Sequence, residues 1–148
     1  NKLQYAKQFG ATHTINGREE DVVARVRDLT GGLGADYAFD AIGSPTTAVQ
    51  IVEAVAPGGH AVLVGIPAYS ATAPIGLSNM VYLEKKFTGT YYGSVRPTVD
   101  FGILADLYMD KRINLDDLIS RTYRFEEINE GFRLLTSGSV ARGVIVFD

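Results

Sequence analysis

The chain has 148 residues, 46% of them hydrophobic and 21% charged, and a formal net charge of -3. This balance suits an ordinary folded domain with a sizeable core, offers no basic field to a nucleic-acid backbone, and nowhere approaches the ~20 apolar residues that span a bilayer; neither nucleic acid nor membrane is expected as a partner. With no Cys there is neither a disulfide nor a thiolate metal site, His13 and His60 are far apart in the chain, and a reduced, cytoplasmic setting is expected.

The opening, NKLQYAKQFGATHTIN, has no initiator Met, charged n-region or apolar h-region, and reads as the middle of something longer. Leu3, Ala6 and Phe9 recur at near-helical spacing, Gly10 supplies a stop, and the alternation over Thr12 to Asn16 predicts a strand. In EEDVVARVRDLT, Val22, Val23, Val26 and Leu29 share one helical face, and Gly31, Gly32 and Gly34 break it. ADYAFDAIG is the next strand. Ser44 and Pro45 then form an N-cap and first-turn pair for a helix whose apolar face is Ala48, Ile51, Val52 and Val55. Pro57, Gly58 and Gly59 end that helix, and HAVLVGI, apolar on both faces, follows as a strand. A loop and a short helix near Ser78 to Lys85 lead to a strand in FTGTYYG. From Pro97 the rhythm changes: a helix carrying Val99, Ile103, Leu104, Leu107 and Tyr108, a turn at NLDDLIS, a strand RTYRF, a further helix and a last strand RGVIVF.

Apolar strands separated by helices predict an α/β fold with a doubly wound, Rossmann-like parallel sheet, followed by a C-terminal α/β tail. The division expected is 1–92 for a partial dinucleotide-binding domain and 93–148 for the tail, with no linker marking the join. In such a sheet ligands bind beyond the carboxyl ends of the strands. Gly43, Gly65 and Gly93 close three strands on that edge, where a residue without a side chain lets backbone come close to a ligand. The glycines of GGLGAD lie between a helix and a strand, the wrong order for cradling a pyrophosphate, and read as a tight turn; a GxGxxG turn is not present. His13 and His60, at strand starts away from the ligand edge, take structural roles, and Asp36 with Asp40 is not a catalytic pair at the ligand end.

Taken in order, KLQYAKQFGATHTIN, GADYAFDAIGSP, APGGHAVLVGIP and FEEINEGFRLLTSGSVARGVIVF resemble the second half of a zinc-dependent medium-chain alcohol dehydrogenase, over essentially the whole chain. GSVRPTVDF looks like the branch with aryl-alcohol and hydroxymethyl-thiol dehydrogenases. The resemblance implies a sheet truncated at its N-terminal side, with the catalytic domain and first two cofactor-sheet strands preceding residue 1, and a tail belonging to the catalytic domain. It implies NAD, with NADP not excluded, and an alcohol or aldehyde substrate. Lys2 would lie near the adenosine ribose, Ala41, Ile42 and Gly43 on the adenine side, and Val64 and Gly65 beside the nicotinamide. Backbone at Thr90 and Tyr92 would hold the carboxamide, and Arg142 would reach the pyrophosphate, a role its planar guanidinium suits. Zinc, held by Cys and His in the family, would not be bound by this chain, which carries no catalytic residue and is expected to be inactive alone.

The likeness also implies a homodimer through residues 87–93, and an unpaired Thr12–Asn16 strand would be displaced, disordered or paired with another chain. Two other classes fit parts of the pattern. VEAVAPGGHAVLVG also resembles S-adenosylmethionine methyltransferases, and a non-catalytic cofactor-binding or interaction module stays open.

Overall fold

The computed structural model describes residues 2–138 and 140–147. They fall into two compact units: residues 13–95, and residues 1–12 taken with 96–148. The break after Val95 lies close to the join expected near Tyr92, but the first twelve residues go with the tail rather than with the sheet.

In the 13–95 unit, α2 (Val22–Leu29) begins at Asp21, whose carboxylate accepts the Ala24 N–H at 3.0 Å and so satisfies one of the orphan donors of the first turn. The Gly31–Gly34 turn leads into β1 (Ala35–Asp40). Next, α3 (Pro45–Ala54) starts with a reciprocal cap: Ser44 Oγ accepts from Thr47 N at 3.1 Å, and Ser44 N donates to Thr47 Oγ1 at 3.2 Å. Pro45 occupies the first turn, where its missing N–H costs nothing. The remaining elements are β2 (Val55–Leu63), α4 (Leu77–Tyr82) and β3 (Lys86–Gly89). The sheet is parallel in the order β1-β2-β3. Ile51 and Val52 of α3 pack with Val55 and Ala61 of β2, joined by Ala38, Ile75 and Met80, so the core covers one face of the sheet. On β1, Tyr37 and Phe39 are each 65% exposed.

Three expected strands differ in extent. Thr12 to Asn16 form none, because alternation fixes which side a residue faces but supplies no ladder partner, and the sheet has only β1, β2 and β3. Strand β2 starts at Val55, not His60: the helix stops at Ala54, Val55 already has extended backbone (φ -76°, ψ 146°), and the register slips between the Ala35–Val55 and Tyr37–His60 pairs, so Pro57, Gly58 and Gly59 bulge within the strand. His60 is therefore inside the strand rather than at its start, with Nε2 2.7 Å from Thr88 Oγ1, and His13 lies outside the sheet. Strand β3 ends at Gly89, and Gly93 sits four residues beyond it, inside a 3-10 turn over Tyr92–Ser94.

The second unit holds α1 (Lys2–Gln8), α5 (Pro97–Met109), β4 (Arg121–Arg124), α6 (Ile128–Ser137) and β5 (Gly143–Val146). Strands β4 and β5 pair in parallel, and α6 closes with Gly138 in the left-handed region at φ 68°. The Tyr5 hydroxyl donates to the Asp117 carbonyl at 2.6 Å, tying α1 to the segment before β4. No helix among the described residues is long and apolar enough to cross a membrane.

Candidate functional site

Parallel β1, β2 and β3 bring their carboxyl ends to one edge. Asp40, the last residue of β1, is only 3% exposed there. Its Oδ1 accepts from Ile42 N at 2.8 Å and Gly43 N at 3.1 Å, and its Oδ2 accepts from the Thr47 hydroxyl at 2.8 Å. Burial alone would raise the pKa of this carboxyl, but hydrogen bonds from the Gly43 and Ile42 N–H groups, the Thr47 hydroxyl and the Ser44 N–H outweigh it and hold the group below its ordinary 3.8. The carbonyl of the same residue accepts the N–H groups of both Val64 and Gly65, each at 2.8 Å. One residue thus fastens the turn after β1 to the turn after β2.

The two turns touch backbone to backbone. A Cβ placed on Gly43 would lie 2.6 Å from the Gly65 carbonyl carbon and 2.7 Å from Ile66 N, and one on Gly65 would lie 2.7 Å from Ile42 N. Gly43 also has φ 79°, a region that a side chain disfavours. The third turn is held to the second by the Thr90 N–H, which donates to the Leu63 carbonyl at 3.0 Å. Beyond it Tyr92, Gly93 and Ser94 are consecutive left-handed residues, at φ 50°, 70° and 57°. That strained run is braced by the Ser94 N–H on the Tyr91 carbonyl at 2.9 Å and by the Thr90 and Ser94 hydroxyls 3.0 Å apart.

Ala41, Ile42, Gly43, Val64, Gly65, Thr90 and Tyr92 therefore share one edge of one unit. Lys2 and Arg142 belong to the other. There Lys2, Ser120 and Ala141 line a hollow of about 610 Å³, with the Lys2 ammonium 3.3 Å from where a Cβ on Gly138 would stand. Ser120 Oγ accepts the Ala141 and Arg142 N–H groups, each at 3.1 Å, and donates to the Arg142 carbonyl at 2.8 Å. This fixes the Arg142 backbone while its exposed guanidinium makes no ion pair among the described residues. Asp36 is exposed at the other end of β1 from the buried Asp40. The residue that sequence reasoning missed is Asp40, and its signal was present: an Asp ending a strand, three residues before a Gly and four before a Ser N-cap.

A family model described as zinc-binding dehydrogenase matches residues 1–108. The chain belongs to the zinc-binding dehydrogenase family. Among curated relatives of this zinc-binding dehydrogenase chain, alcohol dehydrogenase-like 2 of Arabidopsis thaliana is 34% identical over 152 residues, covering 99% of the chain and 39% of the relative. The NDMA-dependent alcohol dehydrogenase of Amycolatopsis methanolica is 35% identical over 151 residues, covering 98% and 40%. The crystal structure of benzyl alcohol dehydrogenase from Acinetobacter calcoaceticus superposes with a TM-score of 0.93 at 31% identity, over 99% of this chain and 40% of that one. The chain thus spans about 40% of the length of the relatives it matches. These likenesses decide against the methyltransferase alternative, since the strand-and-helix pattern it rested on belongs here to a dehydrogenase fold.

Proposed function

We propose that the chain supplies the nicotinamide-cofactor edge of an oxidoreductase that moves hydride between an alcohol or aldehyde and NAD, acting in the cytoplasm. The observation that carries this reading is the Gly43–Gly65 contact, where the turns after adjacent parallel strands pack backbone to backbone and present main chain at the carboxyl edge on which such sheets take their ligands. A dinucleotide fits that edge: Ala41, Ile42 and Gly43 would line its adenosine side, Val64 and Gly65 its nicotinamide side, and backbone groups at Thr90 and Tyr92 would meet the carboxamide. As the family resemblance implies, Arg142 would offer a planar guanidinium to the pyrophosphate and Lys2 an ammonium to the ribose. When bound, the nicotinamide would accept or give the hydride, and these residues orient it.

The residues do not fit zinc. The chain has no Cys and only two His, and no cluster of three or more His, Asp or Glu occurs among the described residues, so no step is assigned to a metal here. The open edge of β3, exposed along its whole length, supports pairing with a second copy through residues 87–93. For residues 1–148 alone the reading is weak NAD binding and no turnover, because a glycine-rich pyrophosphate turn and a zinc ligand set are missing from the sequence. The test follows reduced-cofactor absorbance with primary and aromatic alcohols, with and without zinc, for residues 1–148 and for the full-length protein. Turnover confined to the full-length protein is expected, and a full-length protein that neither binds nor reduces NAD would overturn the assignment.

A further inference from the structure

Asp40 makes two separate sets of bonds. Its side chain reaches only the turn and helix that follow it: Oδ1 takes the Ile42 and Gly43 N–H groups, and Oδ2 takes the Thr47 hydroxyl, itself locked in the cap of α3 with its Oγ1 2.8 Å from Ser44 Oγ. Its main chain serves the neighbouring turn, where the carbonyl takes Val64 N and Gly65 N. That second turn has supports independent of the carboxylate, since Asp40 pairs with Leu63 and Leu63 with Gly89 in the ladder, and Thr90 N donates to Leu63 O. The Ile42 side chain, 73% exposed, is carried by a backbone whose N–H donates to the carboxylate, while its contact with the second turn is van der Waals packing.

We propose that the Asp40 side chain is a positioning residue for one half of the cofactor: it sets the Ile42–Gly43 backbone against the adenosine half, while the nicotinamide half depends on main-chain bonds that the side chain does not make. This rests on the dinucleotide reading above. It predicts an asymmetry that general weakening of the fold would not produce, because removing the carboxylate frees two N–H groups on one side of the edge and none on the other.

The experiment titrates the full-length protein with NADH, AMP and reduced nicotinamide mononucleotide. Asp40→Ala should weaken AMP about tenfold or more and leave reduced nicotinamide mononucleotide within about twofold, in line with loss of hydrogen bonds to a charged acceptor. Asp40→Asn, which keeps one oxygen for Ile42 and Gly43, should rescue AMP binding to within about threefold of the parent. In both variants the amide signals of Ile42 and Gly43 should move while those of Val64 and Gly65 hold their positions. If Asp40→Ala does not fold, Asp40→Asn alone decides, through amide shifts confined to Ile42 and Gly43; shifts of equal size at Val64 and Gly65 overturn the proposal. Equal weakening of both halves, or unchanged AMP affinity, overturns the positioning role. A parent protein that binds NADH and AMP not at all overturns the dinucleotide reading itself.

Discussion

Asp40 is an acid whose folded pKa lies below its ordinary value, despite burial, because the Gly43, Ile42, Thr47 and Ser44 donors favour the anion. The unfolded chain therefore binds its proton more readily, so the stability that Asp40 contributes is complete above pH ~4 and is lost as pH falls through the lower folded value. Urea unfolding between pH 7 and 2 should show that loss, and Asp40→Asn should be flatter below pH 4 while being roughly 1–3 kcal/mol less stable at pH 7. Arg142 behaves in the opposite way. Its structural bonds run through main chain to Ser120, and its guanidinium makes no ion pair among the described residues, so Arg142→Ala in the full-length protein should leave the melting temperature nearly unchanged. Cofactor affinity should fall about 10- to 150-fold, the range of a charge-assisted bond of ~1.5–3 kcal/mol. Fluorescence titration with NADH checks the second half of that statement, and unaltered affinity would return Arg142 to an ordinary surface role.

At the scale of elements, caps were the most legible feature of the sequence. Ser44-Pro45 announces the start of α3 because a side-chain acceptor and a fixed φ act locally, and the same local chemistry caps α2 at Asp21 and ends α6 at Gly138. The joins between elements were not legible. Val55 completes the apolar helical spacing of Ala48, Ile51 and Val52, yet it is the first residue of β2, because an apolar side chain suits either a helix face or a buried strand and only tertiary pairing with Ala35 separates them. FTGTYYG looks like one strand by composition, but the left-handed run at Tyr92–Ser94 ends the ladder at Gly89. The strand-end glycines were visible, and Asp40 could be read as the acid ending its strand, but the N–H groups it meets were not legible, since the turn that aims them closes only in the fold. One cap goes against preference. After α5, Lys111 takes φ 58°, with its N–H on the Tyr108 carbonyl at 2.9 Å and the Arg112 N–H on the Leu107 carbonyl at 2.9 Å, a position where Gly is the usual choice. Lys111→Gly should stabilise the chain by about 1 kcal/mol, read as a higher denaturation midpoint, and a lower midpoint would show that the side chain contributes more than the strain costs.

For the whole molecule, the proposed dimer rests on the sheet edge. All of β3 is exposed, and an uncovered ladder of N–H and C=O groups is a template for another strand. Multi-angle light scattering of the full-length protein should give a dimer mass, and replacing Gly89 with Pro, which removes an N–H on the side of β3 away from β2, should shift it toward monomer; a monomer at high concentration in the parent would count against pairing at this edge. The division of the chain has a consequence of another kind, in the timing of synthesis. One unit is continuous, residues 13–95, while the other begins with α1 and is completed only by residues 96–148. On a ribosome adding ~5–20 residues per second, the sheet can form first, and α1 waits roughly 3–10 seconds while the 53 residues 96–148 are made. During that interval Leu3, Tyr5 and Phe9 lack the tail that Tyr5 grips through Asp117. Until residues 96–148 are made, α1 is an apolar helix without its partner segment, a natural and transient binding site for chaperones.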